Sequence, residues 1–477
     1  MKRIITVAVV AAFSAFASRA EWKTIGTVQL ADNVSLVQGV AKLGEFTGNA
    51  MIGMMAAGAL NEMPGSLAFG PARPGAATLY PFFVENGQYE FAILYPVSIG
   101  RDAFLKKYPD AIESNGLIRV SCPVFGKKKS VCYVAFSSDG KWAGFSDKPQ
   151  QARLAVVETA VADKPLDGDI LRVRILRRGL DEFVKGGEQE MDVKTRDLID
   201  QLESVVFGLR VSDRGLDFRG ALKTRSGTEL SKIGANALAT DALSFAGKDS
   251  VSASACAAGC GGEPVEKSWD EIRPIVEKAG FALDWIEFGK QGDNSRFTVD
   301  VGKLIANAMA HEKQSDSEAG EKLMEELKGY FASRGKEKFT ADGPAVNCEV
   351  AIKGYAGKYT PQQRFDYTLP EAKNRKPFSV GFCSVYSVIR SVLPACAKAS
   401  PEAFAGSEAV IAAMPAEGQG GLAYMAWTEN DTLRFFARVG ADEFKAVSAG
   451  FAAFAMMSAG DSDDDDDDDE DASSDNL

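Results

Sequence analysis

The residues able to do chemistry in this 477-residue chain are its many carboxylates, seven cysteines and one histidine, His311. A single histidine removes every mechanism that needs a His pair or a His-rich metal cage. His311-Glu312 opens a metalloprotease-like pattern, but position 315 is serine, so the second zinc ligand is missing. Cys256-Ala-Ala-Gly-Cys260 lacks a second Cys or His pair at zinc-binding spacing. Neither a G-x-S-x-G elbow, a P-loop nor a dinucleotide fingerprint occurs. Ser138-Asp-Gly-Lys141 and Ser333-Arg-Gly-Lys336 match S-x-x-K. The first falls in an expected hairpin turn and the second at a helix end, whereas a Ser–Lys hydrolase starts a helix with its serine. Catalytic residues and cofactors are therefore not assigned. The enzymatic alternative is a carboxylate-dependent, glycosidase-like hydrolase whose two acids the sequence does not single out.

The cysteines fit an oxidising compartment. Cys122 and Cys132 flank a Lys-rich turn. Strands pairing around Lys127 would make them direct cross-strand neighbours, suited to a disulfide. Cys256 and Cys260 could close a small ring. Cys383 and Cys396 fall on one expected helix, ~20 Å apart if it is unbroken. An odd count leaves a free thiol or an intermolecular bond.

Export is the matching expectation. Lys2 and Arg3 precede an apolar run, Ile4 to Ala17, and small residues follow at two cleavage options. Residues 1–20 read as a Sec signal peptide, which places the mature chain in the periplasm or outside the cell. No later stretch has the length of a membrane span. The net charge of −12 and pI near 5.0 argue against nucleic acid.

A short pattern, G-x-D-x-F, recurs three times: Gly100-Arg-Asp102-Ala-Phe104, Gly179-Leu-Asp181-Glu-Phe183 and Gly440-Ala-Asp442-Glu-Phe444. Each copy follows an apolar, strand-like segment. Glycine would allow a sharp strand exit, and the aspartate would sit in the first turn of a helix, where a negative charge is favourable. The phenylalanine would begin the buried stripe. The competing reading, that these aspartates are catalytic acids, explains the three copies less economically.

Other patterns set the fold class. Phe207–Leu216 aligns without a gap on Tyr424–Leu433, each reading as strand, polar turn and strand. A meander is expected over 118–146, and hairpins over 281–301 and 346–369. Helices are expected over 148–161, 302–313 and after Ser315-Asp-Ser-Glu318, a capping box. Pro274 interrupts a helix placed at 268–279. Hairpins between helices predict an α+β fold with mostly antiparallel sheet. Residues 246–264 are rich in Ala, Gly and Ser and read as a linker. The chain thus divides into a signal peptide (1–20), an N-terminal α+β domain (21–246), a flexible linker (247–264), a related C-terminal α+β domain (265–458) and an acidic tail (459–477).

The tail holds eleven of the acidic residues, which account for most of the net charge. Such a block repels itself and is expected to be disordered. Asp463, Asp464, Asp465, Asp466, Asp467, Asp468 and Asp469 could bind divalent cations weakly and multivalently. The expected role is a non-enzymatic binding or scaffolding protein of the bacterial envelope or secretome. Its partner would be a protein, a peptide or an apolar ligand, taken in a groove with Met51, Met54, Met55, Met456 and Met457 as lining candidates.

Overall fold

The structure, a computed structural model, describes residues 22–448 apart from 49–50, 52–53, 56–57, 59–63, 86, 125–126, 163–165, 187–190, 314–316, 335, 337, 400, 402–405 and 415–416. The N-terminal half runs β1 (Lys23–Leu30), α1 (Asn33–Thr47), α2 (Pro64–Phe69), β2 (Thr78–Glu85), β3 (Gln88–Phe91), β4 (Ile93–Pro96), α3 (Arg101–Lys107), β5 (Ile112–Ser114), β6 (Leu117–Val124), β7 (Lys127–Phe136) and β8 (Trp142–Ser146). It continues with α4 (Pro149–Val157), α5 (Thr159–Ala162), β9 (Leu171–Leu176), α6 (Arg177–Gly186), α7 (Val193–Asp200), β10 (Leu202–Ser212), β11 (Gly215–Thr224) and α8 (Glu229–Lys232). The C-terminal half runs β12 (Ser250–Cys256), α9 (Val265–Lys278), β13 (Ile286–Gln291), β14 (Asn294–Val299), α10 (Val301–Lys313), α11 (Ser317–Arg334), β15 (Val346–Ile352), α12 (Pro361–Thr368), β16 (Ser379–Cys383), α13 (Val385–Ala399), α14 (Ser407–Ala413), β17 (Leu422–Glu429) and β18 (Thr432–Gly440). A helix over 441–448, α15, follows β18 directly.

The fold is α+β, and the strands pair antiparallel except β14 with β15. Around the junction β11·β18 lie two wings of five strands. One is β2-β1-β9-β10-β11 and the other β15-β12-β16-β17-β18. In both wings the first strand in the chain lies next to the outermost, and the last lies at the junction. The N-terminal wing carries β3–β8 between its second and third strands. The C-terminal wing carries α9 to α11 with β13 and β14 between its first and second. The two hairpins aligned in sequence are β10–β11 and β17–β18. The second turns through Asn430 and Asp431, both left-handed at φ 49° and 53°, a conformation that short polar side chains tolerate.

The junction is fixed by charge as well as by the ladder. Asp217 and Arg438 are opposite each other in the β11·β18 register and are both buried. The guanidinium donates to both carboxylate oxygens, at 2.6 and 3.0 Å, and to the Thr368 carbonyl at 3.0 Å. A bidentate buried pair of this kind specifies register, because a slip would strand both charges.

The inserted N-terminal meander has its own aromatic core. Phe69 stacks on Phe104 with centroids 5.0 Å apart, and both pack with Phe136 and Phe145. In the C-terminal half Phe365, Leu369, Phe382 and Met425 are buried together. Burying each such side chain contributes roughly 1.5–3 kcal/mol.

Several expectations need correction. The 247–264 segment is not a flexible linker throughout, since 250–256 is β12, paired on both edges with β15 and β16. Val251, Ala253 and Ala255 are buried in alternation, so a strand of small residues was masked by its composition. Residues 361–368 form α12 rather than a strand, started by a capping box between Thr360 and Gln363 with Pro361 at its first position. Helix α9 passes through Pro274 without ending. Cys383 ends β16 instead of sharing a helix with Cys396. The meander register pairs Val120 with Cys132 and Cys122 with Ser130, so the two cysteines are not direct cross-strand neighbours. Signal peptide and acidic tail lie outside the described residues.

Candidate functional site

The cavity with most spare chemistry is a cleft of about 640 Å³ beside the start of α1. Asp32 caps this helix: its carboxylate accepts the N–H groups of Val34 and Ser35 at 3.1 and 3.3 Å and the Ser35 hydroxyl at 2.7 Å. Gly39 lets α1 settle on the sheet edge, because a Cβ there would come within 3.0 Å of the Ile170 side chain. That packing aims Gln38 and Lys42 along the same wall, opposite the segment 73–77 and Trp142.

Three cations line the cleft: Lys42, Arg73 and Arg210. Lys42 is paired with Asp213. Arg73 lies over the Trp142 ring at 5.3 Å, and its backbone N–H donates to the Pro96 carbonyl at 2.9 Å. Arg210 extends from β10 against the Gly168 backbone. Neither Arg73 nor Arg210 has a carboxylate at ion-pair distance among the described residues. Trp142 is 1 % exposed, and its indole Nε1–H finds no acceptor.

The cleft's acids are already engaged. Asp32 is taken up by the helix cap. Asp169 is buried, with Arg219 at 2.6 Å and Arg172 at 3.0 Å. Burial pushes the Asp169 carboxyl above its ordinary value, and the two guanidiniums pull it back. The uncommitted capacity is therefore donor-rich and positive, on a chain whose net charge is −12.

A second polar cluster surrounds the start of α13. Arg364, from α12, pairs with Glu417 and donates to the Ser387 hydroxyl at 3.1 Å. The Tyr355 hydroxyl bridges Glu417 at 3.0 Å and Ser387 at 2.8 Å. Ser387 donates onward to Ser384 at 2.8 Å. Glu443, from α15, accepts the Tyr386 N–H at 2.8 Å and so caps α13 from a neighbouring helix. Burial is the main cause that pushes the Glu443 carboxyl up to about 6, opposed by the Tyr386 N–H and by Arg364. Only Tyr355 and Glu417 of this group border a cavity, one of about 600 Å³.

The recurring motif divides on inspection. Asp102 and Asp442 fall in the first turns of α3 and α15, as expected of charge at a helix start. Asp181 does not, because α6 begins at Arg177, immediately after β9, and Asp181 pairs back to Arg177 at 2.5 Å. Gly179 is accordingly inside α6, where any Cβ would meet the Ile25 carbonyl at 2.4 Å. None of the three aspartates lines a described cavity. Phe104 is fully buried, but Phe183 is 64 % exposed and, with Tyr89, borders an open groove of about 700 Å³.

Met51, Met54 and Met55 are 62–70 % exposed and line none of the described cavities. Met456 and Met457 lie outside the described residues, as do Asp463 to Asp469. Arg73, Arg210 and Trp142 were missed in the sequence. They are 137 positions apart at the extremes, and the only local signal was unpaired arginine in an acidic chain. Among the described residues no helix is long and apolar enough to cross a membrane, and no cluster of three or more metal-ligating side chains occurs. Comparison with family models, curated proteins and solved structures finds no match.

Proposed function

We propose that the chain is an exported, non-enzymatic binding protein of the envelope or secretome, and that the cleft beside α1 takes a small acidic ligand bearing a carboxylate or phosphate. The supporting observation is that Arg73 and Arg210, which have no carboxylate at ion-pair distance among the described residues, line one cavity together with Trp142, whose indole N–H has no acceptor among those residues. Arginine suits such anions through its planar, multi-donor fork, and a buried donor without an acceptor costs about 1–3 kcal/mol that a ligand oxygen would recover.

Calorimetric titration of the full mature chain with inorganic phosphate and with succinate tests the reading. Binding should weaken with salt and fall at least ~10-fold in Arg73→Ala and in Arg210→Ala. Absence of binding by both probes at millimolar concentration, or binding unchanged in both variants, would overturn it.

The mirrored strand order of the wings supports reading them as diverged copies of one unit. The hydrolase alternative draws on Glu417 and Glu443, which share Arg364 as a neighbour. It needs both carboxyls at one cavity, and Glu443 borders none of those described. For the tail, calcium titration with and without residues 461–477 tests weak cation binding.

A further inference from the structure

Outside the cleft, the half-buried Cys256 and Cys260 place two thiols side by side. Cys256 is the last residue of β12, opposite Ser379 on β16 and Val346 on β15. The following loop is pinned by its backbone. Ala257 N–H donates to the Phe378 carbonyl at 2.8 Å, Gly259 N–H to the Gly343 carbonyl at 2.9 Å, and Gly261 N–H to the Ala341 carbonyl at 2.9 Å. Asn236 adds a bond to the Ala258 carbonyl at 2.8 Å. This tethering turns the loop back so that the Cys260 thiol hydrogen-bonds Cys256.

We propose that Cys256 and Cys260 form a thiol–disulfide exchange site, with Cys256 as attacking thiol and Cys260 as resolving thiol. The two thiols are not equivalent. The neighbouring Cys260 S–H brings the Cys256 thiol down to about 7, against the effect of burial. Cys260 is held well above its ordinary value by donating to Cys256 and by burial. Tyr424 of β17, which accepts from Ser379, is the further titratable neighbour and is raised mainly by burial.

The oxidant is a small-molecule or protein disulfide. Cys256 thiolate attacks one of its sulfurs; that S–S bond breaks and one thiolate leaves. Cys260 then gives its proton to that thiolate or to water and attacks the Cys256 sulfur, releasing the second thiolate. Two thiols are oxidised to the Cys256–Cys260 disulfide, and one external disulfide is reduced to two thiols. The product ties the end of β12 to the turn before α9, between two segments the backbone already holds together. Cys132 is buried, and burial raises the thiols of Cys348, Cys383 and Cys396, so these serve as internal controls.

The test equilibrates the full mature chain with reduced and oxidised glutathione at set ratios, quenches with an alkylating reagent and maps the peptides. One disulfide, Cys256–Cys260, should form, while those four control thiols stay alkylated. Cys256→Ser should slow the first reaction with an aromatic disulfide reagent by at least ~10-fold at neutral pH. Cys260→Ser should trap on Cys256 a mixed disulfide that the unaltered chain resolves. Circular dichroism melts of both variants confirm folding. Full alkylation of Cys256 and Cys260 at every ratio, a bond from either to another cysteine, or no mixed disulfide trapped on Cys256 in Cys260→Ser would overturn the proposal.

Discussion

The cleft beside α1 and the polar cluster at α13 contain the same kinds of side chain and put them to opposite uses. At α13 a buried arginine meets a carboxylate, two serines and a tyrosine, and a buried glutamate is taken up by backbone N–H groups. At α1 two arginines have no carboxylate at ion-pair distance and an indole N–H has no acceptor among the described residues, although aspartates lie in the same walls. A network that closes on itself holds parts of a fold together. One that leaves donors over has capacity for something from outside. The difference lies in the unmatched remainder, which counting charged residues does not reveal.

The comparison can be broken most directly by charge removal. Arg364→Ala should destabilise the fold by about 1.5–3 kcal/mol, since it removes a buried guanidinium hydrogen-bonded to Ser387 and to the half-buried Glu417. Arg73→Ala should cost no more than about 0.5 kcal/mol while abolishing most anion binding. Urea unfolding of the two variants under one condition decides this. Equal losses of stability would remove the distinction between the sites.

Gly179→Ala comes next. Its Cβ would collide with the Ile25 carbonyl, so α6 must shift from β1 at a cost of about 1–3 kcal/mol, read as a lowered midpoint of unfolding. The equivalent substitution Gly100→Ala meets open space and should be nearly silent.

Glu443 sharpens the comparison through pH. Its folded value of about 6 lies above the ordinary 4.5, so the folded chain holds this proton more tightly than the unfolded one. Its contribution is therefore fully present below pH 4.5 and is lost as pH rises through 6, by about 2 kcal/mol. Glu443→Gln should flatten that part of the stability–pH curve. An unchanged slope between pH 4.5 and 6.5 would show that the carboxyl is not held as described.

Smallest of all, Phe183→Ser should change stability by less than about 0.5 kcal/mol, in contrast to Phe104→Ser in the matching motif, where a fully buried ring is lost. The same three-residue pattern thus gave a core anchor in one copy and an exposed ring in another. Pattern matching cannot separate the two, because the neighbours that cover the ring come from elsewhere in the chain.

Legibility followed the range of the interaction. The hairpins 202–224 and 422–440 and the 117–146 meander rest on contacts a few residues apart, and their turn residues announced them. β12 was misread because Ser and Ala alternation carries little hydrophobic contrast. The 361–368 helix was misread because its capping box, Thr360 with Gln363, was passed over. None of the arginines of the cleft was foreseen; the Cys256/Cys260 pair, which lies outside it, stood out because it is local in sequence.

Taken alone, the sequence determined an acidic α+β chain of antiparallel hairpins and capped helices, since these depend on neighbouring residues and on alternation along one segment. The tertiary structure alone decided that β11 and β18 join the halves through Asp217 and Arg438, and that Arg73, Trp142 and Arg210 meet in one cleft. Those contacts span long stretches of chain, and which charges end up paired is settled only when the packed sheet fixes who stands beside whom.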